Sequence, residues 1–261
     1  MMRIGIYLWV SLLLIACSQQ NVFLKENQVK LSKPSVTLDS VFFYDKATIN
    51  YEHNLQGTVI EEYNENTGAF ETSQSYGIVS YESGSIKYRA SKKPLKPSDP
   101  IEVSYYRINP DLTPSYIKSV EKPNSSYEGR GIQSLIDLDK SELDFRSGKW
   151  LGFDQDSVTI VLRFDDQKRV STLVLSSLQD QGSWIFPPNR VRITHDEELI
   201  HDWLHCPLVE NAAAQFEFPQ IDLKQTKVTN LKIVIYPSIL PDWHAGAGKN
   251  AWLFLDEIVV Q

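Results

Sequence analysis

The sequence of 261 residues has little cysteine and no excess of basic side chains. Its only cysteines, Cys17 and Cys206, are too few for the disulfide framework of a small exported domain, so buried cores must supply the stability. Lysine and arginine together number 26 against 33 acidic residues, which gives a formal net charge of −7. No stripe of lysine and arginine interrupts this acidic balance. Such a chain is a poor partner for nucleic acid or for an anionic lipid surface.

The chain also lacks an apolar run long enough to cross a bilayer as a helix, which takes about 20 residues. Residues 4–15 are apolar and follow Arg3, a pattern typical of a signal peptide. The run ends in LIAC at residues 14–17, which resembles a bacterial lipobox. The resemblance implies cleavage after residue 16 and acylation of Cys17 as a membrane anchor. Because Ser18 follows, it also implies the outer membrane of a gram-negative bacterium. An ordinary signal peptide containing a cysteine is the alternative.

A sustained helical period is missing as well. Short alternating segments recur instead: Ile86, Tyr88 and Ala90 alternate with Lys87 and Arg89, as in a half-buried strand. We therefore predict an all-β chain of two β-sandwiches. The predicted divisions are a signal peptide at 1–16, a lipidated tether at 17–33, an immunoglobulin-like sandwich at 34–109, a linker at 110–130 and a jelly roll at 131–261.

Three segments of the second half carry a resemblance to a known module. They are LDFRSGKWLGF at residues 143–153, LQDQGSWIFPP at 178–188 and LPDWHAGAGKNAWLFLDEIVV at 240–260. Together they resemble discoidin-like modules (coagulation factor 5/8 type C, carbohydrate-binding family 32-like), especially those ending bacterial family 20 β-hexosaminidases. The resemblance implies a galactose-binding-type jelly roll. Residues 34–109 resemble the chitobiase C-terminal-type domain, which implies an immunoglobulin-like sandwich.

Two loops of these segments are the predicted sugar-binding residues. A sugar ring presents a C–H face to an aromatic side chain and a rim of hydroxyls to planar polar groups. Trp184 and Trp243 could equally be packed in the core, and for Trp252, Trp150 and Phe153 we favour packing. The predicted ligand-binding residues are Gln179, Asp180 and Trp184 in one loop and Asp242, Trp243 and His244 in the other.

A structural Ca²⁺ is the cofactor that the resemblance implies. Discoidin-like modules commonly hold this cation through backbone carbonyls, an early acidic loop and a late glutamate, and Ca²⁺ prefers such oxygen ligands. Leu138 stands where such loops customarily have glycine, and the alternative is that these carboxylates are solvated acids of a surface turn. The predicted metal-binding residues are Asp137, Asp139 and Asp144, near Ser141, together with Glu257.

The predicted function is non-catalytic. The glycosidases that the resembling modules accompany place their carboxylates on a large barrel, for which this chain has no room. We expect a carbohydrate-binding lipoprotein that holds an oligosaccharide, of amino-sugar or galactose type, near envelope machinery such as a glycoside hydrolase or a glycan-uptake complex. The alternative is a structural spacer or protein-docking module of an envelope complex that binds no sugar.

Overall fold

The computed structural model describes residues 25–73, 75, 77–205 and 208–261. The predicted signal peptide, the lipidation at Cys17 and most of the tether lie outside these residues. Within the described ranges, no helix combines the length and apolar composition needed to cross a membrane. Helical structure there is confined to four short 3-10 turns, Glu26–Gln28, Pro110–Leu112, Ile132–Ile136 and Gln181–Ser183. The remaining regular structure is β, which confirms the predicted fold class.

The first sandwich contains eight strands in two sheets. One sheet has the order β1-β3-β6, and the other has the order β2-β8-β7-β4-β5 with β2 parallel to β8. The strands are β1 (Ser35–Leu38), β2 (Phe42–Phe43), β3 (Ala47–Glu52), β4 (Val59–Asn64), β5 (Ala69–Thr72), β6 (Gly77–Ser80), β7 (Gly84–Ser91) and β8 (Ile101–Arg107). The predicted alternation in β7 is confirmed, because Tyr88 and Ala90 are fully buried while Lys87 is exposed.

The second sandwich is organised around one long strand, β11. On one side β11 pairs with β15 and then β14, and on the other with β9 and then β16. The full path is β10-β16-β11-β15-β12-β13. These strands are β9 (Tyr116–Ser119), β10 (Leu151–Phe153), β11 (Val158–Gln179), β12 (Pro188–His195), β13 (Glu198–Leu204), β14 (Gln215–Glu217), β15 (Gln220–Pro237) and β16 (Leu253–Val260). All eight residues of β16 are buried, so the end of the segment 240–260 lies in the core.

Two segments that were predicted as tether and linker have residues packed with the sandwiches. The end of the predicted tether belongs to the first sandwich: Leu31 is buried, its N–H donates to the Lys96 carbonyl at 3.0 Å, and Lys96 N–H donates to the Val29 carbonyl at 2.8 Å. Within the predicted linker, β9 adds a strand to the second sandwich and buries Ile117 to 1% exposure. Polar residues and prolines surround both apolar residues in the sequence, so the local pattern did not predict a strand there. Burial of their side chains is what stabilises each segment against its sandwich.

The two sandwiches pack against each other through an apolar interface. The Phe218 ring, just before β15, lies 6.1 Å from Phe42 and 5.5 Å from Tyr106 of the first sandwich, measured between ring centroids. Val174 and Val259 of the second sandwich belong to the same buried cluster. Burial of this area holds the first sandwich beside β11 and β16.

Candidate functional site

Four turns meet at one end of the second sandwich and enclose a cleft. Backbone hydrogen bonds define each turn: Tyr127 N–H donates to the Asn124 carbonyl at 2.8 Å, and Ser147 N–H donates to the Asp144 carbonyl at 3.0 Å. The third turn is closed by reciprocal bonds between Asp180 and Ile185, and the fourth precedes β16. Strands β11 and β12 flank the third turn, and β16 follows the fourth, which is how a rigid scaffold positions a binding site.

This cleft, which we call the aromatic cleft, has a volume of about 270 Å³. Its wall is a cluster of rings in edge contact: Tyr127 lies 5.4 Å from Trp252, 5.9 Å from Phe145 and 5.0 Å from Phe254 between ring centroids. Phe254 is buried, whereas the other three rings are partly exposed. The lining residues are Tyr127, Phe145, Arg146, Gly182, Ser183, Ile185, Trp252 and Phe254.

A second cleft adjoins the first and shares part of its wall. It has a volume of about 260 Å³, and Tyr127, Phe145 and Arg146 line both spaces. Arg146 is exposed, with its guanidinium carbon 4.5 Å from the centroid of the Phe145 ring. We call this space the neighbouring cleft. Its other lining residues are Ser126, Gly129, Gly148 and Trp150.

Of the predicted sugar-binding residues, the structure brings Trp184 and His244 together. Their ring centroids are 5.2 Å apart in an edge-to-face arrangement. His244 Nδ1 accepts from Gly246 N–H at 3.1 Å, so Nε2 carries the proton and donates to the Gln181 carbonyl at 3.1 Å. Each nitrogen of His244 therefore braces one loop against the other. Gln181 and Gly246, which are not among the predicted ligand-binding residues, complete this brace.

The remaining predicted residues take different positions. Gln179 is buried at the end of β11, opposite Gln215 of β14. Asp180 begins the third turn, and Asp242 is exposed. Trp243 and Trp184 are each 37% exposed, outside the lining of the aromatic cleft.

Packing in the core was favoured for Trp150, Phe153 and Trp252, and these three side chains differ in their burial. Trp150 and Phe153 are each 1% exposed, which confirms the prediction that they pack in the interior. The indole N–H of Trp150 donates to the Glu142 carbonyl at 2.8 Å. Trp252 instead is only partly buried and forms part of the cleft wall, because the strand β16 begins one residue later.

Sequence reasoning missed Tyr127, Phe145 and Arg146. Phe145 and Arg146 lie inside a segment that carried the resemblance, at the tip of the turn that Asp144 starts. The signal available in the sequence was an arginine directly after an aromatic residue, with a glycine, Gly148, two positions later. In the structure this glycine has a φ of +80°. Tyr127 had no such signal, because its neighbours in sequence belong to the predicted linker.

The predicted metal-binding residues separate into two groups. Asp139 is engaged by Arg130 at 2.6 Å and by Lys149 at 2.8 Å, and Asp144 Oδ1 accepts from Arg146 N–H at 2.9 Å in its own turn. Among the residues described, no group of three or more His, Cys, Asp or Glu side chains could hold a metal ion. Asp137 also pairs with Arg130, at 3.1 Å, so a cation site would rely on Glu257 and backbone oxygens and would share Asp137 with that arginine.

Glu257 supplies the observation that fits such a site. It is fully buried, and neither carboxylate oxygen has a hydrogen-bond partner within the described part of the chain. Burial, and then the nearby carboxylates of Asp256 and Asp137, raise the pKa of Glu257 to about 9. Leu138 has a φ of +61°, the left-handed conformation that glycine adopts most readily. A buried carboxylate with free lone pairs fits a Ca²⁺ ligand.

Asp256, next to Glu257, is paired instead of free. Its Oδ2 accepts from Lys140 Nζ at 2.7 Å and from Ser141 N–H at 2.8 Å. Lys140 Nζ also lies 3.4 Å from the centroid of the Phe216 ring. Burial lowers the pKa of Lys140, and the Asp256 carboxylate opposes that shift. This buried ion pair ties the loop that begins at Asp137 to strand β16.

Comparison with known proteins gives structural likenesses only. No protein-family model matches the chain, and no curated protein matches it. A fucose-binding module of Streptococcus pneumoniae is 14% identical over 59% of this chain and 98% of its own, with a TM-score of 0.38. The CBM32-1 and CBM32-2 domains of Clostridium perfringens ZmpB, in complex with GalNAc, are 11% identical over 58% of this chain and 34% of theirs, with a TM-score of 0.36. The lectin domain of lectinolysin, complexed with Lewis B antigen, is 10% identical over 59% and 97%, with a TM-score of 0.39.

The brace between the two predicted loops gives a first testable prediction. A Cβ added at Gly246 would lie 2.5 Å from Cζ3 of Trp184 and 2.8 Å from Cδ1 of Leu240. Gly246→Ala is therefore expected to lower the free energy of unfolding by about 1–3 kcal/mol, because the Trp184 ring must move. Urea unfolding measures the loss. Gly182→Ala is the matched control, since its nearest contact would be Asp180 Oδ1 at 3.6 Å. Equal stability of the two variants would contradict this account.

Proposed function

We propose that the chain is a non-catalytic carbohydrate-binding protein and that the aromatic cleft holds the sugar ring. The observation that carries this proposal is a cleft lined by the rings of Tyr127, Phe145 and Trp252 together with the polar side chains of Arg146 and Ser183. The apolar C–H face of a sugar packs on aromatic rings, while its hydroxyls need donors and acceptors at the edge. The cleft supplies both kinds of contact within one space.

The size of the cleft supports a ligand of one or two sugar residues. Small-molecule sites generally have volumes of about 300–1,000 Å³, and the aromatic cleft, at about 270 Å³, lies just below that range. It is also open to solvent on one side, so part of the bound ligand stays hydrated. We expect a dissociation constant on the order of 0.1–1 mM for one site, because few aromatic contacts offset the cost of ordering the ligand.

The charges of the cleft support binding without hydrolysis. Glycoside hydrolysis generally uses two carboxylates on opposite sides of the scissile bond. Among the residues that line the aromatic cleft, Arg146 is the charged one, and no carboxylate is included.

The cellular part of the proposal rests on the first residues of the sequence. LIAC at residues 14–17 supports a lipid anchor at Cys17, which would hold the sandwiches at the outer membrane. There the protein would keep oligosaccharides, of amino-sugar or galactose type, near glycan-degrading machinery. Palmitate labelling of the full chain, compared with Cys17→Ala, tests the anchor separately from sugar binding.

A structural Ca²⁺ completes the proposal. Asp137 and Glu257 would hold it with backbone carbonyl oxygens, which a buried carboxylate without hydrogen bonds supports. The loop that starts at Asp137 continues to Phe145 and Arg146 of the cleft wall. Neutralising Glu257 with a cation would therefore stabilise the base of this loop.

A glycan-array screen tests the sugar site. The protein lacking residues 1–17 is screened with and without Ca²⁺, beside Tyr127→Ala and Trp243→Ala. We expect binding to one coherent sugar class, weakened about tenfold or more by Tyr127→Ala because a stacking ring is lost. Trp243→Ala is the control on the predicted loop outside the cleft and is expected to bind normally.

Two results would contradict this assignment. Loss of binding in Trp243→Ala, with Tyr127→Ala unaffected, would move the site to the loop of Asp242, Trp243 and His244. Absence of any binding by a folded, monodisperse protein would favour the structural spacer, for which the apolar interface between the two sandwiches is suited.

A further inference from the structure

We propose that the glycan in the aromatic cleft is acidic, with a sugar carboxylate bound by Arg146, and that it extends into the neighbouring cleft. This inference rests on the proposed carbohydrate-binding function and names its ligand class. A uronic acid, whose carboxylate replaces the primary hydroxyl of a neutral sugar, has the required chemistry.

The first argument is the charge of the lining. The residues that line the two clefts include one charged side chain, the Arg146 guanidinium, and no aspartate or glutamate. The whole protein, in contrast, has 33 acidic residues against 26 basic ones. The clefts therefore form a locally positive site on an acidic molecule. An anionic ligand would find its counter-charge here without a competing carboxylate in the wall.

The second argument is that Arg146 has no carboxylate partner among the residues described. Several other arginines are paired, for example Arg130, whose Nη1 lies 2.6 Å from Asp139, and Arg89, whose Nε lies 2.7 Å from Glu61. The nearest carboxylate in sequence, that of Asp144, accepts from the Arg146 backbone N–H instead. Stacking on Phe145 orients the guanidinium plane but uses none of its N–H donors. The donors remain available for a bidentate carboxylate, the partner that matches their geometry.

Asp180 is the acid that could compete for this charge. It stands at the start of the turn that contributes Gly182 and Ser183 to the aromatic cleft, and its Oδ1 would lie 3.6 Å from a Cβ at Gly182. Its carboxylate is nevertheless absent from the lining of both clefts and from the ion pairs found in the described residues. Arg146 therefore faces both spaces without this neighbour neutralising it.

The third argument is the position of Arg146 between the two clefts. Tyr127, Phe145 and Arg146 belong to both linings, so the two spaces adjoin each other at this wall. Their volumes, about 260 and 270 Å³, are nearly equal. One sugar residue in each would place the guanidinium at the junction, within reach of a carboxylate on either. The ligand is therefore at least a disaccharide.

Isothermal titration calorimetry tests this inference on the full chain, solubilised in a detergent without a sugar headgroup. The ligands are a digalacturonate and the digalactose of the same linkage, and a digalactose sulfated at the primary hydroxyl is the third arm. We expect the carboxylate ligand to bind about tenfold or more tightly than the neutral one, with an affinity that falls as salt is added.

Variants identify the residue responsible. Arg146→Gln is expected to remove the preference for the acidic ligand, so that the variant binds digalacturonate and digalactose with the same affinity. Arg163→Gln is the matched control, because this arginine also stacks on an aromatic ring, Tyr116 at 5.4 Å, but outside both clefts. It removes the same charge from the protein and is expected to leave both affinities unchanged.

The outcomes separate this inference from the function on which it rests. Equal, Tyr127-dependent binding of the neutral and acidic disaccharides would overturn the acidic ligand and leave carbohydrate binding intact. Binding of the sulfated disaccharide as tightly as the digalacturonate would overturn the assignment to a carboxylate. Failure of every sugar to bind would overturn both. A monosaccharide uronate that binds as tightly as the disaccharide would overturn the extension into the neighbouring cleft.

Discussion

Glu257→Gln is expected to abolish a pH dependence of stability that the native chain shows without divalent cations. The pKa of Glu257 is raised to about 9 in the folded state from an ordinary value of 4.5. Between these values the folded protein binds one more proton than the unfolded chain. The resulting stabilisation is complete below the unfolded pKa and is lost as the pH rises through the folded pKa. The free energy of unfolding should therefore fall with rising pH, by up to about 1.4 kcal/mol per pH unit.

Urea unfolding in the presence of a chelator, at pH 6, 7 and 8, measures this slope. Glutamine keeps the shape of the side chain without an ionisable group, so the variant should be more stable than the native chain at pH 8. Glu198→Gln, at an exposed position of β13, is the control and should retain the native slope. Identical slopes for Glu257→Gln and the native chain would show that this carboxylate does not titrate as described.

Calcium should act on the same carboxylate in the opposite sense. Because the ionised form of Glu257 is the cation ligand, Ca²⁺ binding must release its proton, and the apparent affinity should increase with pH up to about 9. Ca²⁺ should therefore stabilise the native chain most at pH 8 and should leave Glu257→Gln unchanged. Stabilisation of this variant equal to that of the native chain would move the cation away from Glu257.

Lys140→Met is expected to lower the free energy of unfolding by about 3–5 kcal/mol at pH 7, the largest loss that we predict. The Asp256 side chain is 1% exposed and the Lys140 side chain 13%, so the variant leaves a carboxylate buried without its counter-charge. Asp256 Oδ1 has no hydrogen-bond partner in the described part of the chain, and Oδ2 would retain only Ser141 N–H. Methionine preserves most of the contact with the Phe216 ring, so the loss reports charge more than packing.

The matched control is Lys149→Met, in the same loop. Lys149 pairs with Asp139 at 2.8 Å, but the two side chains are 31% and 49% exposed, so the cost should be below about 1 kcal/mol. The double variant Lys140→Met, Asp256→Asn should recover part of the loss, because no buried charge remains unpaired. Urea unfolding of the three variants decides the matter. A double variant no more stable than Lys140→Met would show that the loss comes from packing.

Part of the candidate site could be predicted from sequence, namely the segments that form it. All three segments that carried the resemblance contribute to the aromatic cleft, through Phe145, Ser183 and Trp252. The particular side chains were harder to predict. Trp243 and His244 have the composition of a ligand loop, yet His244 hydrogen-bonds backbone groups with both ring nitrogens. A hydrogen-bonding residue beside an aromatic has the same local pattern whether it faces a ligand or braces a turn.

For the predicted metal-binding residues, too, the sequence indicated the segments but not the contacts of each side chain. The spacing of Asp137, Asp139 and Asp144 suggested one acidic loop, and the position of Glu257 suggested its partner. Arg130 and Lys149 occupy Asp139, however, and these side chains come from the loop's two flanks. Charge pairing across a turn is decided by where its ends are fixed, and the sequence of the turn does not contain that information.

The sequence by itself determined the β class of this chain, because a two-residue apolar period is local and strands such as β7 display it without reference to their neighbours. It also determined which segments are rich in aromatic residues. Only the tertiary structure decided that β9 completes the second sandwich and that Tyr127, Phe145, Ser183 and Trp252 enclose one cleft. These residues are far apart in sequence, and their approach depends on how β11 brings β15 and β16 to its two sides. That pairing is set by burial of the whole core, to which every strand contributes and which no single segment encodes.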